Sequence, residues 1–94
     1  MFAVIGSAQI DPDRVEEAVS LLEERLLPRV KEMGGFVGGT WTRSLDDKNG
    51  TSMVLFETEA AANAAVEAAK GIAPPPEAPI TFADFRVVRV VAQA

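Results

Sequence analysis

Three side chains in this sequence have the chemistry to hold a small aromatic molecule: Trp41, Arg86 and Arg89. An indole offers a broad stacking surface and one N–H donor, and a guanidinium offers a rigid fork of donors to a phenolate or carboxylate. Arg86 and Arg89 sit among valines in a segment that reads as a strand, so they fall on opposite faces and one of them is expected to point inward. Each residue also has a plainer reading. Trp41 serves equally as core or interface packing, and the arginines as cross-strand partners of Glu57 or Asp84. Arg43 reads as solvated beside a hairpin, and Asn63 as an exposed polar residue amid alanines.

What is missing narrows the chemistry further. The chain has no His, no Cys and no Tyr. That removes Ser-His and Cys-His nucleophilic sites, imidazole and thiolate metal ligation, and disulfides. A general base would have to be a carboxylate such as Asp84 or Glu57. The acidic pairs Asp11-Asp13, Glu23-Glu24 and Asp46-Asp47 read as helix capping, a wet helix face and turn chemistry, so no metal site is expected. Gly34-Gly35 follows a helix and Gly38-Gly39 lies within a strand. Both reverse the strand-turn-helix order of a dinucleotide loop. The expectation is a protein without metal, haem, flavin or nicotinamide.

Charge and hydropathy bear on partners. Nine Lys plus Arg against fourteen Asp plus Glu give a net charge of −5, and the basic residues are scattered. Both facts argue against nucleic acid or an anionic membrane surface as partner. The opening residues, Met1 to Gly6, carry no basic region ahead of an apolar run, and a cytoplasmic location is expected. With 48% hydrophobic residues in 94, one domain over residues 1–94 has more apolar surface than a small core can hide. The excess points to a subunit interface or a ligand cavity.

The elements that must position these residues follow from pattern and punctuation. Phe2 to Ile10 alternates as a strand with both registers apolar or small. Asp11-Pro12 reads as an N-cap and first helical residue. Val15, Val19, Leu22, Leu26, Val30 and Met33 then form one apolar stripe, with Glu23, Glu24, Arg25, Arg29 and Lys31 largely off it. Pro28 predicts a kink, or a break near Leu27, and Gly34-Gly35 ends the helix. Phe36 to Ser44 is a second strand whose glycines predict a bulge, a bend or close approach. Leu45 to Gly50 is a turn ending in Asn-Gly, which makes a hairpin with Thr51 to Glu57. Thr58 caps an alanine-rich helix from Glu59 to about Lys70, stopped by Gly71. Ala73 to Pro79 is an extended connector, and Phe82 to Ala92 is the last strand.

The order is β-α-β-β-α-β, an α+β ferredoxin-like sandwich. Two helices cover one face of a four-stranded antiparallel sheet, and no element remains for the other face. A second copy packed sheet to sheet would cover it. The entry into Asp11-Pro12, the run Gly34-Gly35-Phe36-Val37-Gly38-Gly39, the phrase Met53-Val54-Leu55-Phe56-Glu57-Thr58-Glu59-Ala60-Ala61 and the closing Phe85-Arg86-Val87-Val88-Arg89-Val90 resemble the dimeric α+β barrel superfamily, within it the antibiotic-biosynthesis-monooxygenase group. The resemblance implies a homodimer. It also implies either a cofactor-independent monooxygenase acting on a small aromatic or polyketide-type molecule, or a non-catalytic dimer that binds a small apolar ligand or is purely structural. The haem-degrading branch uses an axial His, an Asn on the first strand and a Trp on the second helix. This chain offers no His, has Ser7 and Gln9 on the first strand, and has Ala65 or Val66 on the second helix. The quinone-forming branch uses Asn, Trp, Tyr and Arg, of which Trp41, Asn63 and Arg86 match by type.

Overall fold

The computed structural model describes residues 1–71, 74–75 and 77–94. Four strands, β1 (Phe2–Ile10), β2 (Phe36–Arg43), β3 (Asn49–Phe56) and β4 (Ile80–Arg89), form one antiparallel sheet in the order β2-β3-β1-β4. Three helical segments run without interruption through the first connection: α1 (Val15–Leu21), a π-helical turn (Leu22–Leu26) and α2 (Leu27–Lys31). The second connection carries α3 (Glu59–Gly71). This is the ferredoxin-like arrangement expected from the element order. β4 begins two residues earlier than alternation suggested, where Ile80 pairs with Ile10, and ends three earlier, because its partner β1 starts at Phe2 and the Val90 amide makes the closing bond to the Met1 carbonyl.

The helices pack on the sheet face that carries Phe2, Val4, Val54, Phe56 and Val87. The core gathers Val4, Val54 and Phe56 with Ala62, Ala65 and Val66 of α3. Phe56 is 1% exposed, and burying such a side chain contributes roughly 1.5–3 kcal/mol. Alanines at Ala62 and Ala65 let α3 lie close on the sheet, where it contacts β1, β3 and β4. Phe36 meets Phe56 edge to face at 6.3 Å between ring centres.

Three local features differ from the sequence expectation, and a fourth meets it in another form. Asp11 does not cap α1. Its carboxylate instead accepts the Asp13 amide at 3.0 Å, so an Asx turn holds Pro12 and Asp13 and the helix begins only at Val15. The irregularity predicted near Leu27 is present, as a π turn rather than an end to the helical arm. The π turn directly before Pro28, with the Leu27 N–H donating to the Leu22 carbonyl, adds a residue to the turn where the proline ring would press on the preceding backbone. Val19 is 37% exposed, and Ala18, at 2%, is the residue that turns inward in its place. Finally, Asn49-Gly50 is not the hairpin turn but the start of β3. The turn is Ser44 to Lys48, where the Asp46 carboxylate accepts the Ser44 hydroxyl at 2.6 Å and the Lys48 amide at 3.1 Å. Those two donors hold the Asp46 carboxyl below the usual carboxylate range, and Asp47 takes the left-handed conformation at φ 62°.

Two junctions match expectation. Thr58 caps α3 through its hydroxyl, 3.1 Å from the Ala61 amide. Gly35, at φ 76°, ends the first helical arm, and its carbonyl takes the Glu57 amide at 2.9 Å. Of the connector expected over Ala73 to Pro79, residues 73 and 76, with Ile72 before it, lie outside the described residues. Pro75 and Ala78 close a turn there, and the Pro79 carbonyl bonds the Asp11 amide. The opposite sheet face carries Ala3, Ile5, Met53, Leu55 and Val88 with no helix over them, and Met53 is 49% exposed. Among the described residues no helix is long and apolar enough to cross a membrane.

Candidate functional site

Cross-strand pairing places side chains of neighbouring strands in rows, all members of a row facing one side. On the helix-covered face, read from β2 to β4, the rows are Phe36–Phe56–Phe2–Arg89, then Gly39–Val54–Val4–Val87, then Trp41–Ser52–Gly6–Phe85, then Arg43–Gly50–Ala8–Phe82. Volume falls away in the last two rows at the two central strands. Serine, alanine and glycines occupy β3 and β1 there, while rings stand on the outer strands.

The result is a partly open cavity of about 150 Å³ between these rows and the first helical arm. Its floor is Gly6, Ala8, Gly50 and Ser52, and its sides are Trp41 and the pair Phe82–Phe85. The two phenylalanines stack edge to face with centres 5.4 Å apart. Leu22, Leu26, Arg29 and Val30 form the roof, with Ala65 and Ala69 of α3 behind. A dry apolar cavity of about this size holds a benzene-sized ring. Leu22, Leu26 and Val30 are half-buried rather than buried because they border this space instead of a filled core.

Glycine does specific work here. A Cβ at Gly39 would lie 2.8 Å from Cη2 and 2.9 Å from Cζ3 of Trp41, so the six-membered edge of the indole packs against that residue. A Cβ at Gly6 would stand 2.6 Å from the Ser52 hydroxyl and 3.2 Å from the Phe85 ring. The expected bulge is also present, at the register shift between Phe36 and Gly38.

Of the residues singled out by sequence, Trp41 borders the cavity and the two arginines do not. Arg86 lies on the uncovered face in the row Thr40–Met53–Ile5–Arg86. Arg89 lies on the helix side, exposed, its guanidinium 5.7 Å from the centre of the Phe2 ring. They fall on opposite faces, as alternation requires, and neither faces Trp41. Asp84 and Glu57, the carboxylates considered as bases, are both exposed and outside the cavity. Arg43 pairs with Asp47 at 3.3 Å, and Asn63 is exposed on α3. Among the described residues no three His, Cys, Asp or Glu side chains are grouped to hold a metal ion.

Sequence reasoning missed Arg29, Ser52, Phe82 and Phe85. Arg29 follows Leu26 by three and precedes Met33 by four, which is in-stripe spacing, but its charge set it aside as a wet residue. It is exposed, and among the described residues it is the only charged side chain on the cavity wall. The wall is almost wholly apolar, and the residues on it that carry a side-chain donor on the helix-covered side are Arg29, Ser52 and Trp41. Among the described residues no carboxylate borders it to take a proton. Such a site can orient and stabilise an oxygen-bearing aromatic but leaves deprotonation to the ligand or to solvent.

No protein-family model matches the sequence, and no curated protein matches it significantly. Solved structures do match in fold. The heme-degrader MhuD from Mycobacterium tuberculosis, solved with two hemes bound in its active site, superposes with a TM-score of 0.77 at 16% identity, covering 100% of this chain and 99% of MhuD. The monooxygenase from the gene ActVA-Orf6 of Streptomyces coelicolor, solved with the ligand nanaomycin D, gives a TM-score of 0.58 at 19% identity, covering 99% and 91% of the two chains. At these identities the likeness establishes the shared fold, in agreement with the resemblance read from the sequence.

The packing of the indole on Gly39 gives a direct prediction. Gly39→Ala drives the Trp41 ring off its seat, shifting its fluorescence emission and lowering stability by about 1–3 kcal/mol, the usual cost of overpacking. Gly38→Ala, whose Cβ would meet nothing within 4 Å, leaves both unchanged.

Proposed function

We propose that this protein is a cofactor-independent monooxygenase acting on a small, electron-rich aromatic of polyketide type. The observation that carries the reading is the cavity itself: apolar, walled by aromatic rings on two sides, and equipped with donors but no base. Trp41 and Phe85 would sandwich a planar ring, the Ser52 hydroxyl would donate to a ring oxygen, and the leucines above would exclude water. The fold shared with a monooxygenase supports the class of activity.

The chemistry suits a site without redox groups. A hydroxylated ring that enters ionised is electron-rich enough to reduce oxygen itself. Oxidation of one ring methylene breaks two C–H bonds and forms one C=O. One atom of O2 becomes the carbonyl oxygen and the other leaves as water with the two hydrogens. All four electrons come from the substrate. The protein orients the ring, stabilises its oxyanion and keeps the reacting carbon dry. The reading does not extend to haem. No imidazole, thiolate or phenolate borders the cavity, and about 150 Å³ suits one ring or two rather than a macrocycle.

The same proposal includes a homodimer built on the uncovered sheet face. Ile5, Met53, Leu55 and Val88 form an apolar band there that a second copy would bury, and Arg86 would then lie within the interface. Sedimentation equilibrium at micromolar concentration should give twice the chain mass. A stable 10.0 kDa species would contradict the dimer.

For the activity, purified protein is given 1,8-dihydroxynaphthalene, a two-ring substrate of the size the cavity accepts, under 18O-labelled O2. The expected outcome is one O2 consumed per quinone formed, with one labelled atom in the product carbonyl, and loss of rate in Ser52→Ala. Absence of a specific site for a base favours one alternative, a ligand-binding protein without turnover. Saturable binding with no oxygen uptake above the spontaneous rate would establish that reading instead.

A further inference from the structure

We infer that Arg29 makes the cavity selective for aromatic molecules bearing an ionised oxygen group, a phenolate or a carboxylate, seated at its mouth. The inference rests on the reading of the cavity as an aromatic-ligand site. It adds which aromatics are accepted and which residue decides.

Three observations converge on Arg29. Among the described residues it is the only charged side chain bordering the apolar cavity. Among the described residues it makes no ion pair, a state it shares with Arg25, Lys31, Lys48, Arg86 and Arg89, of which none borders the cavity. It also stands where the cavity meets a broader groove of about 600 Å³, the two sharing Leu26, Arg29, Ile80 and Phe82. A ring in the inner chamber therefore presents its outward substituent to the guanidinium. Charge-assisted hydrogen bonds of this type are stronger than neutral ones. The helix geometry explains the placement: Leu22 and Leu26 of the π turn, and Arg29 and Val30 after it, share the cavity-facing side, so a cation occupies a position where the stripe would otherwise carry a fourth apolar residue.

The net charge of the chain sharpens the argument. At −5, the molecule as a whole repels anions. A preference for an anionic over a neutral ligand therefore has to come from a local cation; among the described residues Arg29 is the one on the cavity wall, while the adjoining groove carries Arg14 and Arg25 together with Glu17, Glu24 and Glu77.

The test uses two probes of nearly equal shape, 1-naphthoate and the neutral 1-naphthalenemethanol. Binding is followed by calorimetry and by the fluorescence of Trp41, the single tryptophan in the chain. Wild type should bind 1-naphthoate about five- to tenfold more tightly at low salt, as expected for a partly exposed charged contact. Added salt should shrink that ratio. Arg29→Gln should bring the ratio to about one by weakening 1-naphthoate alone. Equal affinity for both probes in wild type overturns the inference and leaves the cavity reading intact. So does a preference that survives in Arg29→Gln, or an equal loss for both probes in that variant. If neither probe binds wild type, the cavity reading fails and this inference fails with it.

Discussion

A sheet covered by helices ordinarily fills the space between them with branched side chains from its central strands. Here that supply stops halfway along. Val4, Val54 and Phe56 close the layer beneath α3, and the next rows give only Gly6, Ser52, Ala8 and Gly50 on β1 and β3. Everything specific to this chain depends on that shortfall. Rings border the gap at its edges, Trp41 on one side and Phe82 and Phe85 on the other. The fold is thus held at one end by ordinary packing and kept open at the other by missing volume.

The first helical arm meets this uneven surface with an uneven helix. α3, with alanines at its contacts, lies close; the arm from Val15 to Lys31 stays half-buried along its cavity-facing side. Its π turn and Pro28 belong together, since the wider turn makes room for a ring that an α-helix interior rejects. Leu22 and Leu26 of that turn border the cavity, and Arg29 follows one turn later. A local device that accommodates a proline therefore also sets which side chains overlook the site. The separation is sharp: the filled core gathers under α3, and the cavity lies under the π turn.

Much of the fold was legible in the chain. β1, both helix-sheet connections, the Thr58 cap and the antiparallel order follow from alternation, spacing and punctuation, because those signals are local. The features that were not legible are those decided between distant segments. Asp11 had two local uses for its carboxylate, and the Asx turn won over the N-cap. Asn49-Gly50 looks like a turn in isolation, yet pairing of Asn49 with Gln9 and of Gly50 with Ala8 draws both residues into the sheet, leaving the turn to Asp46 and Asp47. The cavity itself emerges only when Gly6, Ser52, Trp41 and Phe85 are aligned across four strands, which no single stretch reveals. Arg29 was set aside for its charge although its spacing was correct, and Arg86 and Arg89 were favoured for chemistry their positions do not bring to the cavity.

The central claim is that a small aromatic binds between the sheet and the first helical arm, on the floor made by the small residues. Mapping amide shifts by two-dimensional NMR during titration with 1-naphthoate tests it most directly. The account predicts saturable shifts concentrated at Gly6, Gly50, Ser52, Val54 and the Trp41 indole N–H, with Thr40, Arg86 and Val88 of the uncovered face unmoved. Shifts centred on the uncovered face, or none at the cavity floor at saturating ligand, would contradict it.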